Sequence, residues 1–212
     1  MRIAIVGAGG HGKVVLDCLE RIHGEGLDAA FFDDAFPGKR DVLGIPVIGP
    51  VAAVVEDDRF ESVFVAIGDN RRRRDVTRRL QQAGKQFLTV IHPFTAISAR
   101  ALLGVGTIAV AGTVVNAASD VGDGVILNTQ CSVGHDVAVK DFAQVAPGVH
   151  LGGGSIVEEG AFLGIGAQVA PEVRIGAWTV VGAGSVVLEN LPAWTFCHGV
   201  PARPVRDLER WV

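Results

Sequence analysis

Of the six histidines in the chain, His11, His23, His92, His135, His150 and His198, two have neighbours that suggest chemistry. His135 is followed at once by Asp136. A histidine beside a carboxylate can accept and pass a proton near neutral pH. Neighbours on a strand point to opposite faces, so direct contact between the two side chains needs a corner in the chain. Taken alone, the pair fits a solvated corner as well as a base. His11 lies in Gly7-Ala8-Gly9-Gly10-His11-Gly12, between a short apolar run and a helical stretch. The spacing Gly7-x-Gly9-x-x-Gly12, with Asp33 about twenty residues on, suits a loop whose backbone N–H groups hold a phosphate. A nicotinamide dinucleotide, a nucleotide-sugar diphosphate, or plain strand–helix packing each satisfies it. The segment has room for only four or five strands, about half a full dinucleotide fold, which argues against the first.

The element that must position His135 is a repeat. Every sixth residue from Ile97 to Val187 is a large aliphatic, Ala109 excepted, through sixteen consecutive positions. Four residues after each comes a slim one, as in Thr107, Thr113, Ser119, Cys131, Ala143 and Ser155. A hexapeptide period belongs to a parallel β-helix. Three short sides enclose a core, so one coil takes about 18 residues, and sixteen hexads stack into a prism roughly 25 Å long at about 4.8 Å per coil. The glycine that often follows the aliphatic, as in Val133-Gly134 and Leu163-Gly164, is expected to supply the corners' unusual backbone angles. His135, two residues past the inward Val133, should point outwards near a corner.

Residues 1–92 read as a Rossmann-like α/β unit. Arg2–Val6, Ala29–Phe32, Ile45–Ile48, Ser62–Ile67 and Gln86–Ile91 are expected strands. Helices are expected at Lys13–His23, at Pro50–Asp57, and at Arg71–Ala83 with Asn70 as its cap. Ligands of such a sheet meet the carboxyl ends of its strands, where His11, Asp33, Asp34 and Asn70 stand. The arginine run Arg71–Arg74 is either a solvated helix face or a phosphate contact. Residues 93–190 form the β-helix and 191–212 a tail.

Several motifs together resemble the sialic-acid O-acetyltransferase and bacterial amino-sugar N-acetyltransferase family of hexapeptide-repeat enzymes. They are the glycine loop, Asp33-Asp34, Ala66-Ile67-Gly68-Asp69-Asn70, Asn128-Thr129, His135-Asp136 and Gly199-Val200-Pro201-Ala202-Arg203. The resemblance implies a left-handed coil and a cytoplasmic homotrimer serving surface-glycan synthesis. It implies acetyl-CoA in a groove between neighbouring prisms and a nucleotide-linked amino sugar on the N-terminal unit. By it His135 is the general base and Asp136 orients the imidazole. Gly153, Gly164, Ile165, Gly182 and Ala183 would meet acetyl-CoA, as would Gln144, which stands where some relatives carry a histidine. Gly9, His11, Gly12, Asp33, Asp34, Gly68, Asn70 and Asn128 would meet the sugar nucleotide. N-acetylation of a UDP-, GDP- or dTDP-linked 4-amino sugar leads, O-acetylation of sialic acid is the variant, and a non-catalytic sugar-nucleotide sensor is the alternative of another class.

Bulk properties narrow the field. The net charge of −4 argues against a nucleic-acid binder. No run approaches the ~20 apolar residues of a membrane span, and the N-terminal run reads as a strand rather than a signal peptide. Three unclustered cysteines suggest free thiols in a reducing compartment. No metal is expected, since zinc on such a coil needs three imidazoles and the repeat offers only His135 and His150.

Overall fold

Each hexad aliphatic sits on a two-residue strand that pairs in parallel with the strand eighteen residues away. One face carries Ile97, Val115, Val133, Leu151, Val169 and Val187 in register. A second carries Leu103, Val121, Val139, Val157 and Ile175, and a third Ala109, Leu127, Val145, Leu163 and Val181. From Ala109 onward all of these aliphatics are buried, and so are the slim residues four positions later. They fill one continuous core. The computed structural model describes residues 2–208, and the chain divides after Pro93 into two compact units, of which this prism is the second.

The corners correct one expectation. From Leu103 to Val181 the left-handed backbone falls three residues after each hexad position, at Gly106, Gly112, Ala118, Gly124, Gln130, Asp136, Phe142 and onward, and not at the glycine directly after it. That first glycine answers to space instead. A Cβ on Gly134 would lie 2.7 Å from Leu151 O, and one on Gly164 would lie 2.7 Å from Ala183 N, so only hydrogen fits between stacked coils. Beyond the repeat, Thr195–Gly199 adds to the third face beside Val180–Val181 and pairs antiparallel with Ala202–Asp207. The last residues of the expected tail, 209–212, lie outside the described residues.

The first unit is built on a sheet in the order β3-β4-β2-β1-β5, with β1 Arg2–Val6, β2 Asp28–Phe32, β3 Asp41–Val42, β4 Ile45–Gly49 and β5 Ser62–Val65. All pairings are parallel except β3–β4. Ala4, Val6, Ala30, Phe32, Val63 and Val65 bury one side, closed by Phe60, whose ring meets Phe32 edge-on at 5.2 Å. Helix α1 runs Gly10–His23, starting three residues earlier than expected because its cap is Gly9 in the loop itself. The segment after Pro50 is a 3-10 helix, Val51–Glu56, rather than an α-helix. Helix α2 runs Asn70–Gln82, and its cap is Asp69, whose Oδ1 accepts from Arg72 N at 2.8 Å, so Asn70 is not the cap. Of the expected last strand, only Val90–Ile91 is regular (β6), and Phe87 makes a single parallel bridge to Val63.

Candidate active site

At the prism corner after Val133, Asp136 takes φ 59°. That left-handed turn brings its carboxylate back to its predecessor, and His135 Nδ1–H donates to Asp136 Oδ2 at 2.7 Å. The pair is open to solvent, the side chains 73% and 66% exposed. With Nδ1–H engaged by a carboxylate, the lone pair is on Nε2, the arrangement a general base would need. Gly153, one coil on, allows this pose: a Cβ there would sit 2.6 Å from both Cε1 and Nε2 of His135. The backbone locks the stack, Gly154 N donating to His135 O at 2.9 Å and Asp136 N to Ala117 O at 3.2 Å. Ser119 Oγ donates to Gly134 O at 2.5 Å from inside the core.

The other prism positions expected to take part lie on a different edge. Asn128, Gly164 and Gly182 follow the third face in one column, with Ile165 and Ala183 beside them. Ile165 is 63% exposed, an apolar side chain presented to solvent. Gln144 points outwards from that face between Ile126 and Phe162, and its Oε1 is buried without a hydrogen-bond partner. Asn128 Oδ1 accepts from Thr129 N at 2.8 Å. One protomer therefore brings His135, Asp136 and Gly153 together and keeps them apart from Gln144, Gly164, Ile165, Gly182 and Ala183. His150, the other histidine of the repeat, shares a 2.7 Å hydrogen bond with Ser132 Oγ, a pairing the eighteen-residue coil predicts only once the register is known.

In the first unit, Gly7, Gly9, Gly10, His11, Asp33, Val51, Ala66, Ile67, Gly68 and Arg72 line a cavity of about 310 Å³. Gly7 sits at φ 107°, where a Cβ would lie 2.8 Å from Ala66 O. Gly12 is buried away from the cavity, pressed against Gly7 and Phe31, so its hydrogen serves helix packing rather than ligand approach. Both polar groups of Ala8 are fixed: its N–H donates to Asp33 Oδ2 at 2.7 Å, and its carbonyl accepts from Lys39 Nζ. Lys39 was invisible in the sequence because nothing local ties it to a loop thirty-one residues away. Asp33 Oδ1 accepts from Ala35 N at 2.9 Å. Burial works to raise the Asp33 pKa, but those two N–H bonds, with the charges of Lys39 and Arg72, hold it below the usual carboxylate range.

His11 lies in the first turn of α1, its Nε2 buried without a partner. Burial, helped by the Arg73 charge, pushes its pKa down to about 4, so the ring is neutral at physiological pH. Arg73 is almost wholly buried, and burial lowers its own pKa to about 9 against the pull of Asp69. Its guanidinium donates to Ile67 O at 3.0 Å, Gly68 O at 3.3 Å and Asn70 Oδ1 at 2.9 Å. Asn70 is buried in that bracket rather than set at the cavity. Arg72 is the member of the run that reaches the cavity, and its Nη2 donates to Asp34 Oδ2 at 2.9 Å. Asp34 Oδ1 also accepts from Val51 N at 3.0 Å. Among the described residues no group of three or more His, Cys, Asp or Glu is placed to hold a metal, and no helix is long and apolar enough to cross a membrane.

Comparison with known proteins assigns both units. Residues 2–80 match the PglD N-terminal domain, and residues 154–189 match the bacterial transferase hexapeptide repeat. A perosamine N-acetyltransferase from Caulobacter crescentus, solved with CoA and GDP-perosamine, is 39% identical over 98% of each chain, with a TM-score of 0.91. The acetyltransferase domain of PglB from Neisseria gonorrhoeae FA1090, solved with acetyl coenzyme A, is 34% identical over 96% of this chain and 98% of that one, with a TM-score of 0.92. GDP-perosamine N-acetyltransferase of Escherichia coli O157:H7 is 28% identical over 211 residues, 95% of each sequence. With a PglD-type Rossmann-like domain ahead of a left-handed hexapeptide β-helix, and near full-length similarity to enzymes of that build, the chain belongs to the hexapeptide-repeat sugar N-acetyltransferases.

Proposed function

We propose that the chain transfers the acetyl group of acetyl-CoA to the 4-amine of a GDP-linked amino-deoxy sugar of the perosamine kind, for surface-glycan synthesis in the cytoplasm. The observation that carries this reading is the His135–Asp136 pair, a solvent-exposed imidazole with Nδ1 held by a carboxylate. The amine lone pair attacks the thioester carbonyl carbon as Nε2 takes a proton from the nitrogen. The C–S bond then breaks, the new amide bond remains, and the proton passes to the departing thiolate, giving CoA–SH. Asp136 stabilises the imidazolium that stands between these transfers.

GDP leads among the nucleotides because the relatives with GDP-perosamine in their names are similar over nearly the whole chain. A UDP-linked sugar is the second reading, supported by 35% identity to UDP-N-acetylbacillosamine N-acetyltransferase of Bacillus subtilis over about half of each sequence. The separation of His135 from the Gly164–Gly182 edge within one prism supports a homotrimer, in which the base of one copy faces the acetyl-CoA edge of the next. The residues assigned to acetyl-CoA on that edge are Gln144, Gly164, Ile165, Gly182 and Ala183.

The test is acetyl-CoA-dependent thiol release with GDP-, UDP- and dTDP-linked 4-amino sugars and free sialic acid, on wild type and His135→Ala. Release with the GDP sugar, lost in the variant, is the expected result. Turnover only with sialic acid would replace this reading by O-acetylation, and tight nucleotide-sugar binding without thiol release would replace it by a sensor. Sedimentation of an active monomer would remove the shared groove.

A further inference from the structure

The charges lining the glycine-loop cavity do not suit a diphosphate as they stand. Asp33 brings a carboxylate to the wall. His11 is neutral, and the N-terminus of α1 adds only a partial positive charge. The one full positive charge among the lining residues belongs to Arg72, and it is turned aside onto Asp34. Both partners are more than half exposed, at 58% and 56%. An ion pair so open to water adds little stability and exchanges readily for a stronger partner. A guanidinium meets phosphate oxygens in a two-pronged fork, a stronger contact than a single bond to a hydrated carboxylate. Two of the neighbouring arginines are engaged elsewhere: Arg73 is buried on the carbonyls of Ile67 and Gly68, and Arg74 pairs with Asp75 at 2.8 Å.

The geometry points to Arg72 as a specificity-determining residue that leaves Asp34 and closes on the diphosphate of the bound nucleotide sugar. The inference rests on the reading of this cavity as the sugar-nucleotide site. Arg72 then selects nucleoside diphosphates over nucleosides, and Asp34 acts as its competitor for that charge, whatever else the Asp34 carboxylate touches.

The test is calorimetric titration of the full-length protein with guanosine and GDP, and with uridine and UDP, taking the ratio of the two affinities in each pair as the gain from the phosphates. In Arg72→Ala the diphosphate should weaken by about 10-fold or more while the nucleoside changes less than about 2-fold, and Arg72→Lys should recover part of the loss. In Asp34→Asn the phosphate gain should rise, because the competing carboxylate has lost its charge. Equal weakening of nucleoside and diphosphate in Arg72→Ala, or a fall in the gain in Asp34→Asn, would make the pair a structural brace and overturn the inference. If wild type gains nothing from the phosphates with either base, the nucleotide reading of the cavity fails and the inference with it. If wild type gains and Arg72→Ala gains equally, only the role of Arg72 fails.

Discussion

His135 and His11 show how differently the two units treat the same side chain. The prism places His135 on a corner, open to water, with one nitrogen bound to Asp136 and the ring resting against Gly153. The α/β unit encloses His11 at the start of a helix, next to a buried arginine and without a partner for Nε2. The first environment leaves the imidazole open to a ligand arriving from solvent. The second withholds the proton, so His11 can meet a ligand only as a neutral hydrogen-bonding group. On the proposed reading, proton transfer falls to the prism, and recognition by neutral or fixed charges to the α/β unit.

The sharpest way to break this division is to exchange a carboxamide for each imidazole. His135→Asn should lower the turnover number by about 10²-fold or more, the usual share of a general base, with little change in acetyl-CoA affinity. His11→Asn should act mainly on the Michaelis constant for the sugar nucleotide. A turnover loss at His11 as large as that at His135 would mean that both histidines handle the proton, and the contrast would be void.

The next effect is on stability. Because the folded-state pKa of His11 is about 4, below the ordinary 6.5, the unfolded chain binds the extra proton between those values. Stability therefore rises with pH through that window and falls on acidification, by a total on the order of 3 kcal/mol for this group. Urea midpoints at pH 5 and pH 7.5 should differ more in wild type than in His11→Asn. A histidine resonance assigned to His11 should titrate near pH 4 in the folded protein, and a midpoint near 6.5 would refute the buried, neutral ring.

The two units also differ in how far the sequence disclosed them. The prism obeys one rule sixteen times, so the inward aliphatics, the slim partners and the outward turn at His135 were all legible from the period. The period did not distinguish two kinds of corner residue. Both the position after the aliphatic and the one two further on are often glycine, one to let the next coil approach and the other for a positive φ. In the α/β unit each feature rests on a single side chain with a distant partner. Lys39 on the Ala8 carbonyl and Arg73 behind the Ile67–Gly68 turn depend on tertiary contacts that no local pattern encodes. Asp69 and Asn70 are both good helix caps by type, and the choice fell to Asp69 because Arg73 claims the Asn70 carbonyl oxygen.

Gly153 tests whether the openness of His135 is built by the coil beneath it. Its φ is not in the left-handed region, so alanine brings no backbone strain of that kind, only a methyl group 2.6 Å from the imidazole. The ring must lift away from the coil and from Asp136. With His135 as the proposed base, turnover in Gly153→Ala should fall by about 10-fold, since small displacements of such a group are costly, with the melting temperature little changed. Undiminished turnover would show that the base does not need its seat.

The smallest effect separates two serines that hold the same place in the repeat, two coils apart. Ser119 and Ser155 each lie four residues after an inward aliphatic, and both are buried. Ser119 Oγ donates to Gly134 O at 2.5 Å, just before His135, whereas Ser155 Oγ is buried without a partner. Losing a made hydrogen bond and leaving its acceptor buried costs about 1 kcal/mol or more. Removing a hydroxyl that has no partner also removes its desolvation penalty, so the change should be close to neutral or slightly stabilising. Ser119→Ala should therefore lower the urea midpoint and Ser155→Ala should leave it unchanged or raise it. Equal losses at the two sites would mean that the hydroxyls serve as volume alone. In that case the corner carrying His135 would owe nothing to Ser119, and its backbone bonds to Ala117 and Gly154 would suffice to hold it.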